Sequence, residues 1–75
     1  MAAKLAVQYD READILSLTT RPPYPEQETE ELGDDIVARL NPETGDVESL
    51  EILFFSKRVH RDPLELPITA DFHRA

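Results

Sequence analysis

The sequence contains no cysteine and no tryptophan, only 8 Lys plus Arg, and no apolar run longer than the four residues from Ile52 to Phe55. Without cysteine, neither a disulfide framework nor a thiolate metal site can supply stability. A membrane span needs about 20 consecutive apolar residues, so the short runs predict no membrane partner. Lys4, Gln8 and Asp10 break up the first ten residues, which do not read as a secretory signal, and a cytoplasmic location is expected. The scarcity of clustered positive charge argues against nucleic acid as the main partner, because phosphate binding requires it.

What is present is acid: 16 Asp plus Glu in 75 residues, for a formal charge of −8, with 40% hydrophobic residues. That composition suits one small acidic domain attracted to basic protein surfaces. A chain this short buries only about 60% of its unfolded surface, so self-association, most simply a homodimer, is expected to supply more.

Period-2 alternation organises much of the chain. Leu5, Val7 and Tyr9 alternate with Lys4, Ala6 and Gln8, and after the polar run Asp10–Asp14 the pattern resumes with Leu16 and Leu18 opposed to Ile15, Ser17 and Thr19. This predicts a tight first hairpin. Pro22, Pro23 and Pro25 lack backbone donors, so Arg21–Pro25 is a rigid connecting loop rather than a ligand for polyproline-binding domains. Glu26–Glu31, with four glutamates in six residues, reads as an exposed lead-in along a sheet edge.

A third strand is expected over Asp35–Leu40, with Ile36, Ala38 and Leu40 inward and Arg39 outward. Asn41-Pro42-Glu43-Thr44-Gly45-Asp46 is the strongest turn signal: proline presets φ and glycine accepts positive φ. The fourth strand, Val47–Phe55, places Leu50, Ile52 and Phe54 on one face and Val47, Ser49, Glu51, Leu53 and Phe55 on the other. Ser56 then reads as the N-cap of a short helix through Arg61, stopped by Pro63. The predicted architecture is α+β: a four-stranded antiparallel sheet of two hairpins with a short C-terminal helix, forming one domain over residues 1–62. Residues 63–75 are a tail, extended or packed on a partner, in which Leu64, Leu66 and Ile68 alternate.

Two runs resemble a small bacterial family of unknown function. Tyr9-Asp10-Arg11-Glu12-Ala13-Asp14 is similar to its opening Tyr-Asp-x-Glu-Ala-Asp. Leu50-Glu51-Ile52-Leu53-Phe54-Phe55-Ser56 is similar to its later Gly-Ile-Glu-Ile-Leu-x-x-Ser, with Ser49 in place of the glycine. Both lie in the family's order, and the likeness covers residues 4–59. The matching positions are Tyr9, Asp10, Glu12, Ala13 and Asp14, then Glu51, Ile52, Leu53 and Ser56. The resemblance implies a compact antiparallel sheet with a short helix and no established activity. Because relatives are often encoded beside ribonuclease-like toxins, it also implies an antitoxin-like role by association.

No chemical constellation survives inspection. Asp10, Glu12 and Asp14 alternate as a calcium loop would, but the positions needing glycine and glutamate hold Ile15 and Arg21. The favoured reading is that Asp10 accepts backbone N–H bonds across the hairpin while the other two face water. His60 and His73 lack the companions of a zinc site. Ser17, Ser49 and Ser56 stand on no recognisable nucleophile elbow, and so numerous a set of acids forms carboxylate pairs by chance. The expectation is therefore a non-enzymatic protein without a cofactor.

The one basic cluster, Lys57-Arg58-Val59-His60-Arg61, is expected to pair with acids of its own chain or a mate, each exposed pair contributing about 0–1 kcal/mol. Val47, Leu53, Phe55, Lys57, Arg58 and Arg61 are the candidate interface. The leading functional expectation is an interaction module neutralising a small basic ribonuclease. The alternatives are a self-associating homodimer without a dedicated partner, or a small-molecule or metal-binding module.

Overall fold

A computed structural model describes residues 4–59 and 63–75. Five strands, β1 (Ala6–Asp10), β2 (Ile15–Thr19), β3 (Glu28–Gly33), β4 (Ile36–Leu40) and β5 (Val47–Leu53), form one antiparallel sheet in the order β1-β2-β5-β4-β3. Both hairpins expected from the sequence form. The proline-bearing connection after β2 carries the chain to the far edge, and β3, β4 and β5 return as a meander that seats β5 between β4 and β2.

Two expectations are corrected. The sheet has five strands rather than four, because Glu28–Gly33 pairs with β4 over its whole length instead of merely leading in. Its side-chain pattern gives no alternation to read; main-chain pairing to the well-patterned β4 imposes the strand. Asp34 and Asp35, both in the left-handed region at φ 51° and 59°, make the tight turn between them, the geometry that matches strand twist in a two-residue hairpin.

The predicted C-terminal helix is replaced by a single 3₁₀ turn, Phe55–Lys57, the only helical element among the described residues. Phe54 adopts φ 55°, which turns the chain out of β5, and no side chain caps the turn. Ser56 does not cap: its hydroxyl donates to Asp14 Oδ2 instead. His60 and Arg61 of the expected helix lie outside the described residues. No described helix is long and apolar enough to cross a membrane.

The core lies on one face. Ile36, Ala38, Leu50 and Ile52 are buried there, with Leu18, Leu32 and Leu40 packed around them. Leu66 and Ile68 of the tail pack against the same cluster, so the segment after Pro63 lies over the core of its own sheet. Its cover does not reach β1, where every residue is exposed.

A bulge in β5 shifts one expected side chain. The register pairs Arg39 with Ser49 but Leu40 with Val47, leaving Glu48 as the extra residue. Val47 therefore sits opposite the core-packed Leu40, not in line with Ser49 and Glu51. The second face is polar at its centre, where Thr19 and Ser49 hydroxyls lie 3.0 Å apart and Arg39 Nε donates to Glu51 Oε1 at 2.8 Å.

Candidate functional site

The two family-like runs converge at one corner of the sheet. Asp10, at the end of β1, accepts the N–H groups of Glu12 and Ala13 on Oδ1 at 3.0 and 3.1 Å, an Asx arrangement that closes the turn. Asp14 leaves that turn at φ 57°. Its Oδ1 accepts the Tyr9 hydroxyl at 2.6 Å and the Ser56 N–H at 2.9 Å, and its Oδ2 accepts the Ser56 hydroxyl at 2.7 Å. Phe55 N–H adds a bond to the Asp14 carbonyl, and the Phe55 ring meets Tyr9 edge-on at 5.8 Å.

Asp14 thus latches the 3₁₀ turn to the first hairpin, and it does not simply face water as expected. The Tyr9 hydroxyl, followed by the Ser56 hydroxyl and N–H, holds its carboxyl below the ordinary range. Reciprocally, the Tyr9 phenol is raised, chiefly because its proton is held by Asp14. With both Asp14 carboxylate oxygens engaged by the protein's own donors, the corner ties the first hairpin to the end of β5. Glu12 and Ala13 are exposed at its rim, Ile52 is core, and Glu51 pairs with Arg39 on the second face.

A second cluster, which the sequence reading did not single out, centres on Glu48 in the β5 bulge. Its carboxylate accepts bonds from the Tyr24 hydroxyl, Gln27 Nε2 at 3.2 Å, Arg21 Nη1 at 3.3 Å and Asn41 Nδ2 at 3.4 Å. Its carbonyl accepts both the N–H and the hydroxyl of Thr20. The Arg21 guanidinium lies 4.2 Å over the Tyr24 ring. Tyr24 foremost, then Gln27, Asn41 and Arg21, keep the Glu48 carboxyl below its ordinary value against the opposing effect of burial. The proline-bearing loop is therefore fastened to the sheet through one glutamate. The visible signal was a phase slip: Val47 belongs to the odd alternation and Leu50 to the even one, and such a slip marks a bulge.

The described residues of the candidate interface lie in differing surroundings. Val47 is 40% exposed at the rim, Leu53 is half-buried opposite Ile15, and Phe55 meets Tyr9 edge-on. Lys57 lies 5.7 Å over the Phe54 ring, Arg58 is half-buried, and Arg61 lies outside the described residues. His73 pairs with Asp71 at 3.2 Å in the exposed tail.

The open surfaces among the described residues include two polar ones. One is the shallow concavity of the second face, where Gln8, Ser17, Thr19 and Ser49 meet Pro22 and Pro23. The other is the acidic edge: Glu26, Glu28, Glu30, Glu31, Asp34 and Asp35 fall within ten residues on and beside β3 with no Lys or Arg among them. Among the described residues, none of these six takes part in an ion pair. Described residues also include no group of three or more His, Asp or Glu placed to hold a metal ion.

No curated protein and no solved structure matches the chain. A family model described as a protein of unknown function, DUF2283, matches residues 6–56, from the start of β1 through Ser56 of the Asp14 latch. That match covers well over half of the sequence, and the chain belongs to the DUF2283 family.

Proposed function

We propose that this protein is a small, non-enzymatic interaction module that neutralises a basic protein partner through the edge formed by β3. The observation that carries this reading is the six-acid run Glu26–Asp35, which lacks ion-pair partners among the described residues. Carboxylates left uncompensated along one strand repel each other and lower stability, so a surface of opposite sign that covers them gains both attraction and relief from repulsion. A ribonuclease must present such a positive surface to its RNA, which makes a small basic ribonuclease the partner class of choice.

Binding of this kind is steered by long-range charge, so its association rate falls steeply with salt. The test is co-expression with the adjacent gene's product, followed by size-exclusion chromatography with light scattering at low and high salt and an RNA-cleavage assay. A salt-sensitive complex that suppresses cleavage supports the reading, and Glu28→Lys with Glu30→Lys should abolish it. No complex at low salt would remove it.

A further inference from the structure

The two edges of the sheet are built differently. β3 carries Glu28, Glu30 and Glu31 and a register irregularity between Glu31 and Gly33, the features that prevent edge-to-edge pairing. β1 has neither. Its five pairs with β2 run without a shift, Ala6–Tyr9 is uncharged, and Leu5, Val7 and Tyr9 are 49%, 62% and 42% exposed. An unguarded, regular and partly apolar edge is a template for another strand.

The direction of its free main-chain groups follows from the ladder. Thr20 N–H bonds to Glu48 C=O, in phase with the pairs Leu18–Leu50 and Leu16–Ile52, so these β2 residues turn their main-chain groups toward β5. Ser17 and its alternates therefore turn theirs toward Ala6, Gln8 and Asp10. That leaves the N–H and C=O groups of Val7 and Tyr9 directed outward from the sheet, and Leu5, just before β1, is next in the same alternation.

We infer that β1 is a homodimerisation edge, pairing antiparallel with β1 of a second copy about a two-fold axis through Val7. In that register Val7 meets Val7 of the second copy and Leu5 meets Tyr9, each pair exchanging both of its outward main-chain bonds. Lys4 falls opposite Asp10 on the second face, twice by symmetry, so the contact is complementary in charge as well as in pattern. The exposed side chains of Leu5, Val7 and Tyr9 join their symmetry mates in one apolar band. The arrangement also keeps charge apart: ten strands at about 4.8 Å each place the acidic edges roughly 40 Å from one another, several screening lengths at physiological salt.

This edge is distinct from the β3 surface, so a dimer and a basic partner can bind the same protein at once. An interface made mainly by one strand per copy is small and its dimer weak, so sedimentation should be followed from roughly 10 µM to 1 mM. The wild type should pass from monomer to dimer over that range. Val7→Pro removes an outward donor without touching the β1–β2 ladder, and loss of that bond on both sides should weaken dimerisation by roughly tenfold or more. Val7→Lys sets like charges together at the axis and should do the same, with circular dichroism confirming that both variants fold.

Lys4→Glu should weaken the dimer at low salt and recover toward wild type at high salt. Since the chain has no native cysteine, Val7→Cys should oxidise to a linked dimer, whereas Gln8→Cys should not. A monomer throughout the range would overturn the inference, as would a dimer that folded Val7→Pro and Val7→Lys variants leave intact. Cross-linking through Gln8→Cys instead of Val7→Cys would overturn the register.

Discussion

Two carboxylates, Asp14 and Glu48, organise the irregular parts of this sheet, and each does so through a tyrosine. Sequence reasoning reached Asp10 because its partners, Glu12 and Ala13, are two and three residues away and the Asx pattern is local. It missed Asp14 because one of its partners, Ser56, stands 42 residues further along. Glu48 gathers donors from 7 to 27 residues distant, and no short motif carries such a set. The phenols report directly on these pairs, since both Tyr9 and Tyr24 are raised chiefly by hydrogen bonds to their carboxylates. Spectrophotometric titration should therefore show both tyrosines ionising above free tyrosine. Asp14→Asn should return only Tyr9 toward the ordinary value, and Glu48→Gln only Tyr24. Two phenols that titrate normally in the wild type would contradict both clusters.

At the level of elements, what could be read was what repeats locally. The β4–β5 hairpin was legible because Asn41-Pro42 and Gly45 carry its turn: Asn41 Oδ1 accepts the N–H groups of Glu43 and Thr44, and Gly45 sits at φ 77°. The alternation of Ile36, Ala38, Leu50 and Ile52 was likewise sufficient to find the core. β3 was not legible because glutamates lack strand propensity, and pairing to β4 decides its conformation. The C-terminal turn was not legible because Ser56 reads as an N-cap until the remote Asp14 claims its hydroxyl. Gly45→Ala tests the legible part. Nothing lies within 4 Å of the position a Cβ would take, so the cost is conformational alone, about 1 kcal/mol for a non-glycine residue in the left-handed region. Urea unfolding should show that loss with an unchanged slope, and a neutral or stabilising result would mean that the turn adopts another geometry.

For the molecule as a whole, the same clusters set the pH range over which the fold is stable. Asp14 and Glu48 lie below their ordinary values of 3.8 and 4.5 in the folded chain. Near pH 4 the unfolded chain therefore binds more protons at these groups than the native one does. Their contribution is present above the ordinary carboxylate range and is lost as pH falls through the lowered native values. Tyr9 and Tyr24 act at the opposite end: raised from 10.0, they favour the fold below pH 10, and that contribution is lost as pH rises through their native values. The acids beside β3 work against the first trend, because protonating them relieves repulsion in a chain of formal charge −8. The clean measurement is thus a difference. Thermal melts of the wild type and of Asp14→Asn/Glu48→Gln across pH 3 to 7 share the repulsion among the β3 acids, so subtracting them isolates the two clusters. The gap between the proteins should be widest at neutral pH and close as pH falls below about 4. A gap that stays constant to pH 3 would show that neither carboxylate is held in its ionised form by the fold.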